Sequence, residues 1–351
     1  MSLTFKLGDI SEQNTHAIVN AANERLGMGG GVCGAIFRKA GISELTEACS
    51  RLASIETGSA VITPGFNSEA KYIIHAVGPI YSADKEDLCE KQLYNAYINS
   101  LKLAEENGCE SISFPLLSAG IFGYPKEKAL ETAIKATRDY LNDSESDIDV
   151  VFVFRSRDSF PISRDIKREL DIYIEGIDAV SSFTGSSQSF KFSENANSRF
   201  SHKSSLPYSV QKQEVDACVC LDEAADEEMP FTKEIFDDLD EPFSDSLLRI
   251  IDAKGLKDSD VYKKANIDRR LFSKIRTQHG YTPSKRTVLA LIIALELNID
   301  EASAMLEKAG YALSRSRTFD VIVKYFIENG LYDIFKINEA LFAYDQPLLG
   351  S

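Results

Sequence analysis

The chain has 351 residues, 44% of them hydrophobic, six cysteines and a formal net charge of −15. That length accommodates two domains, no run approaches the roughly 18 consecutive apolar residues of a membrane span, and the stretch from Met1 to Lys6 has no signal-peptide hydrophobic core. A cytoplasmic globular protein with no membrane partner is therefore expected; the acidic balance excludes general affinity for nucleic acid over the whole chain, and the scattered cysteines read as reduced thiols.

From Phe5 to about Ile174, short apolar runs alternate with helical ones, the pattern of an α/β layered fold. Strands are predicted at Ala17–Asn20, Ser59–Thr63, Tyr72–Ala76, Ser111–Phe114 and Asp149–Phe154, each β-branched or aromatic and bounded by turn residues. A helix is predicted from Cys89 to Asn107, with Leu93, Tyr97, Leu101 and Ala104 on one stripe, and Pro125 opens another that carries Ala129, Ile134 and Tyr140. After Asp178 the periodicity stops. Residues 179–242 read as a disordered Ser-rich and acidic linker, and Cys218-Val219-Cys220 within it as an exposed pair, with no second pair to complete a metal site. No metal or cofactor is expected anywhere.

Residues 243–351 read as a separate all-helical domain. Helices are predicted at Leu247–Ala253, Asp258–Ala265, Arg269–Thr277, Ser284–Leu297, Glu301–Lys308, Thr318–Glu328 and Ile334–Phe342.

The chemistry concentrates in two glycine loops. Val19-Asn20-Ala21-Ala22-Asn23 runs into Gly29-Gly30-Gly31-Val32-Cys33-Gly34, which places paired amides beside a helix start whose unpaired N–H groups attract an anion. Ser118-Ala119-Gly120-Ile121-Phe122-Gly123 leads from a strand into the Pro125 helix in the same way. The spacing Gly29-x-Gly31-x-x-Gly34 matches a dinucleotide fingerprint, but Ala21 to Met28 separate it from its strand and no acidic strand end follows. No Gly-Lys-Ser/Thr completes a phosphate loop either. Two loops that offer backbone dipoles in place of Lys and Arg suit a diphosphate joined to two sugars; taken singly, each could be a tight turn.

With these blocks, and with Gly8-Asp9-Ile10, Thr57-Gly58-Ser59-Ala60, Tyr72 to Pro79 and Pro115 to Pro125 in order, residues 1–178 resemble a macrodomain, the ADP-ribose-binding module. The resemblance implies a three-layer α/β/α fold with a mixed central sheet, binding of ADP-ribose or of an ADP-ribosylated macromolecule, and hydrolysis of mono-ADP-ribosyl esters or of O-acetyl-ADP-ribose. It implies that Asp9 accepts the adenine amino group and Ile10 lends its N–H. Gly30, Gly31 and Val32, with Ser118, Ala119, Gly120, Ile121 and Phe122, would wrap the diphosphate and distal ribose, Asn23 would hold the ribose hydroxyls, and Phe154 would stack on adenine. Asp9 could instead cap a turn, and Phe122 and Phe154 could fill the core. His75 reads as a core residue.

Hydrolases of this family commonly carry an Asp and a His where this chain has Cys33 and Phe37. The catalytic candidates that remain are Asn20, Asn23 and Cys33, with ribose positioning, the glycine loops and a substrate phosphate taking the place of the carboxylate. The competing reading is a reader that binds ADP-ribose without turnover.

Residues 247–311 resemble, less closely, a repressor-type helix-turn-helix domain, with the helix from Ile267 to Arg276 as its recognition element. That resemblance implies DNA contact through Arg269, Arg270, Lys274 and Arg276, or a targeting and regulatory role. The long turn Thr277 to Tyr281 departs from the pattern.

Overall fold

The chain was described from a computed structural model covering residues 2–52, 54–143, 147–156, 160–161, 164–185, 241–278 and 280–350. Six strands form one sheet: β1 (Leu3–Leu7), β2 (Ala17–Ala21), β3 (Ala60–Pro64), β4 (Tyr72–Ala76), β5 (Ser111–Phe114) and β6 (Asp149–Phe154), ordered β1-β6-β5-β2-β4-β3. All neighbours are parallel except β3 and β4, so the sheet is mixed. The central strands are apolar on both faces, which demands cover on both. Alternation along them assigns each residue to a layer: Ile18 and Ile73 face one core, Val19 and Ile74 the other.

On the Ile18 side lie α1 (Gly31–Ala40) and α2 (Ile42–Leu52), which contribute Ile36, Phe37 and Leu45. On the Val19 side lie α3 (Glu86–Glu106) and α4 (Lys126–Asp143), which contribute Leu93, Tyr97, Leu101, Ala129 and Ala133. The three-layer arrangement is the expected one. Strand β1 and helix α2 are additions to the sequence reading, and α5 (Arg164–Gly185) continues past Asp178.

The all-helical region is present as α6 (Phe243–Ala253), α7 (Asp258–Lys264), α8 (Arg269–Thr277), α9 (Lys285–Ala294), α10 (Ile299–Lys308), α11 (Thr318–Glu328) and α12 (Ile334–Ala343). Helix α9 is apolar almost all round and sits at its centre, buried from Thr287 to Leu295. The region does not stand apart from the sheet. Met1–Asp178 and Glu241–Ser351 make one compact unit with a continuous hydrophobic core. At the β1 edge, Oδ1 of Asn266 accepts from Leu3 N at 2.7 Å and its Nδ2 donates to Leu3 O at 2.9 Å, so one side chain satisfies the outward backbone groups of an edge strand. Phe342 of α12 adds its ring to those of Phe5 and Phe160, at 5.8 and 4.7 Å between centroids. The acidic clusters and the Cys218/Cys220 pair lie outside the described residues, as does most of the expected linker. No described helix is long and apolar enough to cross a membrane.

Candidate ligand-binding site

In an open α/β sheet, ligands bind beyond the carboxyl ends of the parallel strands. Here β1 ends before Asp9, β2 ends at the Asn20 to Asn23 segment, β5 leads into the Ser118 loop and β6 ends at Phe154. The topology thus gathers at one end of the sheet all the sites inferred from residues 9 to 154.

Asn20 is 1% exposed, and its Nδ2 lies 3.0 Å from Nδ1 of His75, its register partner on β4. Its Oδ1 has no partner. Ser118 Oγ is likewise buried and unpartnered, and these two are the only such side-chain N or O atoms among the described residues. Leaving a buried acceptor unmade costs roughly 1–3 kcal/mol, so each atom is one at which a further hydrogen bond would stabilise the protein. Ser118 also holds a left-handed backbone, φ 61°. Gly78 packs against it so closely that a Cβ there would stand 2.2 Å from Ser118 Oγ.

Asn23 uses its amide differently. Its Oδ1 accepts from Arg25 N at 3.1 Å and Gly27 N at 3.2 Å, and its Nδ2 donates to Gly27 O at 2.9 Å. It fastens the loop that precedes the triple glycine. Gly30 caps α1 without a side chain, Gly31 has φ 57°, and a Cβ on either would meet open space. The first-turn N–H groups of α1 are therefore unshielded.

Cys33 is 5% exposed; its Sγ accepts from Gly29 N at 3.3 Å and faces Gly27 O at 3.8 Å. The thiol ties the glycine loop together from below. Phe37 is fully buried, 6.5 Å edge-on from the His75 ring. Burial drives the His75 pKa down to about 4 and the Cys49 thiol up to about 11, the latter helped by Cys33 nearby, so neither is an ionised base at neutral pH.

Beyond the end of β1, Asp9 does cap a turn. Its Oδ1 accepts from Ser11 N at 2.9 Å and Ser11 Oγ at 2.7 Å, which with Arg155 and Arg38 beyond holds its carboxyl below the usual range. The second oxygen stays an acceptor, so capping and adenine recognition are compatible. Ile10, 4% exposed, follows in the same short 3-10 turn. Phe154 takes the core-filling reading: it is 3% exposed, with Phe160 and Phe342 at 4.9 and 6.0 Å, and its ring is not offered for stacking. Of the Ser118 loop, Ile121 is 91% exposed, Gly120 is open and Ala119 and Phe122 are half-buried, the Phe122 carbonyl accepting from Tyr81 N at 2.8 Å.

On the helical region the basic groups are largely engaged within the protein. Arg276 forms a two-pronged pair with Asp258 at 2.5 and 2.6 Å, Lys274 lies 4.2 Å over the Tyr281 ring, and Lys263 donates to the carbonyls of Leu141 and Asn142. Lys285 is spent on buried Asp320 at 2.6 Å. Arg269 and Arg270 stay exposed at the start of α8.

Sequence reasoning missed Gly78 and the partnership of His75 with Asn20. Both sit in the quoted run Tyr72 to Pro79; the register of β2 on β4, invisible in a linear reading, supplies the contact.

Comparison with known proteins accords with this geometry. The family model described as Macro domain matches residues 19–133. The O-acetyl-ADP-ribose deacetylase of Escherichia fergusonii is 46% identical over 138 residues, covering 38% of this chain and 77% of that protein. The Macro domain-containing protein CT2219 of Chlorobaculum tepidum is 42% identical over 171 residues, covering 49% of this chain and 92% of that protein. The ADP-ribose glycohydrolase MACROD1 of Mus musculus is 42% identical over 153 residues, 43% of this chain; the match spans only 47% of the mouse protein.

Proposed function

The chain belongs to the macrodomain family, and on that premise we propose that it binds ADP-ribose, free or attached to a macromolecule, beyond the carboxyl ends of β1, β2, β5 and β6. The observation that carries this reading is the pair of orphaned buried atoms, Asn20 Oδ1 and Ser118 Oγ, at the two loops suited to ribose and diphosphate. Asn20 and Asn23 hold the hydroxyls of the distal ribose, Asn23 through the amide N–H that its loop leaves unspent. Gly30, Gly31 and Val32 present N–H groups to the diphosphate, the Ser118 to Phe122 loop closes over it, and Asp9 with Ile10 reads the adenine edge.

Turnover follows from the same arrangement. The substrate is a mono-ADP-ribosyl ester or O-acetyl-ADP-ribose: water attacks the ester or acetal carbon, a phosphate oxygen of the substrate takes its proton, the bond from that carbon to the ester oxygen breaks to release ADP-ribose and the carboxylate, and the loop N–H groups stabilise the developing charge. Because Cys33 is bound to its own loop and Phe37 lies in the core, these two positions supply neither carboxylate nor imidazole, and the rate is expected to be lower than that of a carboxylate-bearing relative by about 10²-fold or more. That vacancy is also the observation that favours the second reading, a reader without turnover. Incubating the purified chain with linkage-defined ADP-ribosyl carboxylate and O-acetyl-ADP-ribose, beside Asn20→Ala, separates the two. Release above the variant is expected; tight binding with no release would leave the reader. DNA contact is not part of the proposal, since only Arg269 and Arg270 of the four candidates lack a protein partner named above.

A further inference from the structure

We infer that the helical region is a working part of the ligand site, with Phe342 of α12 a positioning residue that sets Asp9 for the adenine amino group; the inference rests on the assignment of Asp9 to that group. Asp9 lies two residues past the end of β1, so its place is only as fixed as that strand. Strand β1 stands at the sheet edge, with a strand neighbour, β6, on one side only. Five residues paired along one side are a weak support for a directional contact. The further anchors come from the helical region.

The first anchor grips the backbone. Asn266 engages both outward groups of Leu3, and Gly350 packs behind it so closely that a Cβ there would stand 2.4 Å from Ala265 O and 2.6 Å from Asn266 O. The second anchor grips side chains. Phe342 meets Phe5 of β1, Phe154 at the end of β6 and Phe160 beyond it, at 5.8, 6.0 and 4.7 Å between ring centroids. Phe5, Phe154 and Phe160 also meet one another, at 6.2, 5.4 and 4.9 Å, so the four rings close into one cluster. From that cluster the chain leads straight to the adenine side: Gly8 N donates to Phe154 O at 2.9 Å, and Asp9 is the next residue. Because Asp9 Oδ1 is spent on Ser11, the aim of the second oxygen follows the backbone that carries it. Buried Phe154 thus links α12 to Asp9. Loosening either anchor frees the carboxylate, and with it goes the distinction between a base that offers an amino group at this point and one that offers an oxygen.

The test is calorimetric titration of the full chain with ADP-ribose and with inosine diphosphate ribose, whose base carries an oxygen in place of the amino group, for the wild type, Phe342→Ala, Asn266→Gly and Met305→Ala. Met305 is a buried residue of α10, which packs on α6, α9 and α11, so its truncation weakens the helical region away from β1. The wild type is expected to prefer ADP-ribose by about tenfold, the worth of one hydrogen bond to a charged group. Phe342→Ala and Asn266→Gly should each bring that preference to about threefold or less, by weakening ADP-ribose and leaving the inosine ligand nearly the same. Met305→Ala should lower the melting temperature and keep the full preference. An unchanged preference in Phe342→Ala, or an equal narrowing in Met305→Ala, would overturn the inference. If Phe342→Ala does not fold, Asn266→Gly decides on the same terms. A wild type that binds neither ligand would instead overturn the ADP-ribose reading, and one that binds both alike the role of Asp9, the inference falling with either.

Discussion

Two amides three positions apart carry different tasks in this chain. Asn23 spends its Oδ1 and one N–H on the backbone of Arg25 and Gly27 and keeps its second N–H, whereas Asn20 keeps one buried oxygen in reserve. Ser118 repeats the pattern on the opposite loop, in a left-handed conformation that Gly78 accommodates by lacking a Cβ. Gly78→Ala should therefore turn the Ser118 hydroxyl from its place, lowering ADP-ribose affinity by about threefold to tenfold without a comparable fall in melting temperature. Calorimetry beside thermal unfolding measures both, and an unaltered affinity would show that Ser118 Oγ is no part of the site. Residue types and order made the two loops legible in the sequence. The division of labour between Asn20 and Asn23 was not, because it depends on strand register and on local turn bonds that no spacing rule contains.

At the level of elements, the predicted strands reappear within a residue or two, because each is a short β-branched or aromatic run, buried on both faces except at the edge strand β3. Strand β1 escaped notice although Leu3 and Phe5 are buried and Lys6 is exposed, since five residues offer too little alternation to stand out. Its edge position is what the helical region exploits. Asn266, at φ 53° in the turn between α7 and α8, meets both Leu3 backbone groups, as Asn338 meets both of Leu349 at 3.1 and 2.8 Å. Asn266→Gly keeps that backbone conformation accessible and removes only the side chain, so it isolates the bonds. It should cost about 2–3 kcal/mol, read as a lower urea midpoint. An unchanged midpoint would mean that water replaces the amide. Within the helical region, Lys263, Arg276 and Lys285 each have a partner inside the protein.

For the whole molecule, the boundary between an α/β half and a helical half was visible in the change of periodicity, but their fusion into one core was not. It rests on residues distant in sequence: Phe342 against Phe160, and Arg138 of α4 paired with Asp333 at 3.1 Å. Between α4 and α12 runs a groove of about 580 Å³ whose lining includes Glu131, Asp333 and Glu339. Burial, with Asp333 and Glu131 nearby and Lys336 opposing, raises the Glu339 carboxyl to about 7. A carboxyl raised on folding holds its proton more tightly in the native state. Its contribution is thus fully present below the unfolded value near 4.5 and is lost as pH climbs through about 7. Glu339→Gln should raise stability by about 2 kcal/mol at pH 8 and leave it unchanged at pH 4. Denaturation curves at the two pH values check this, and a gain of equal size at both would contradict it.

The central claim concerns the carboxyl ends of the strands. The most direct measurement is calorimetric titration of the full chain with ADP-ribose, for the wild type and for Asn20→Ala. Saturable one-to-one binding by the wild type, weakened by about tenfold or more in the variant, is the expected result. Absence of binding by the wild type, or equal affinity in the two proteins, would contradict the claim that Asn20 holds a ribose in an ADP-ribose site.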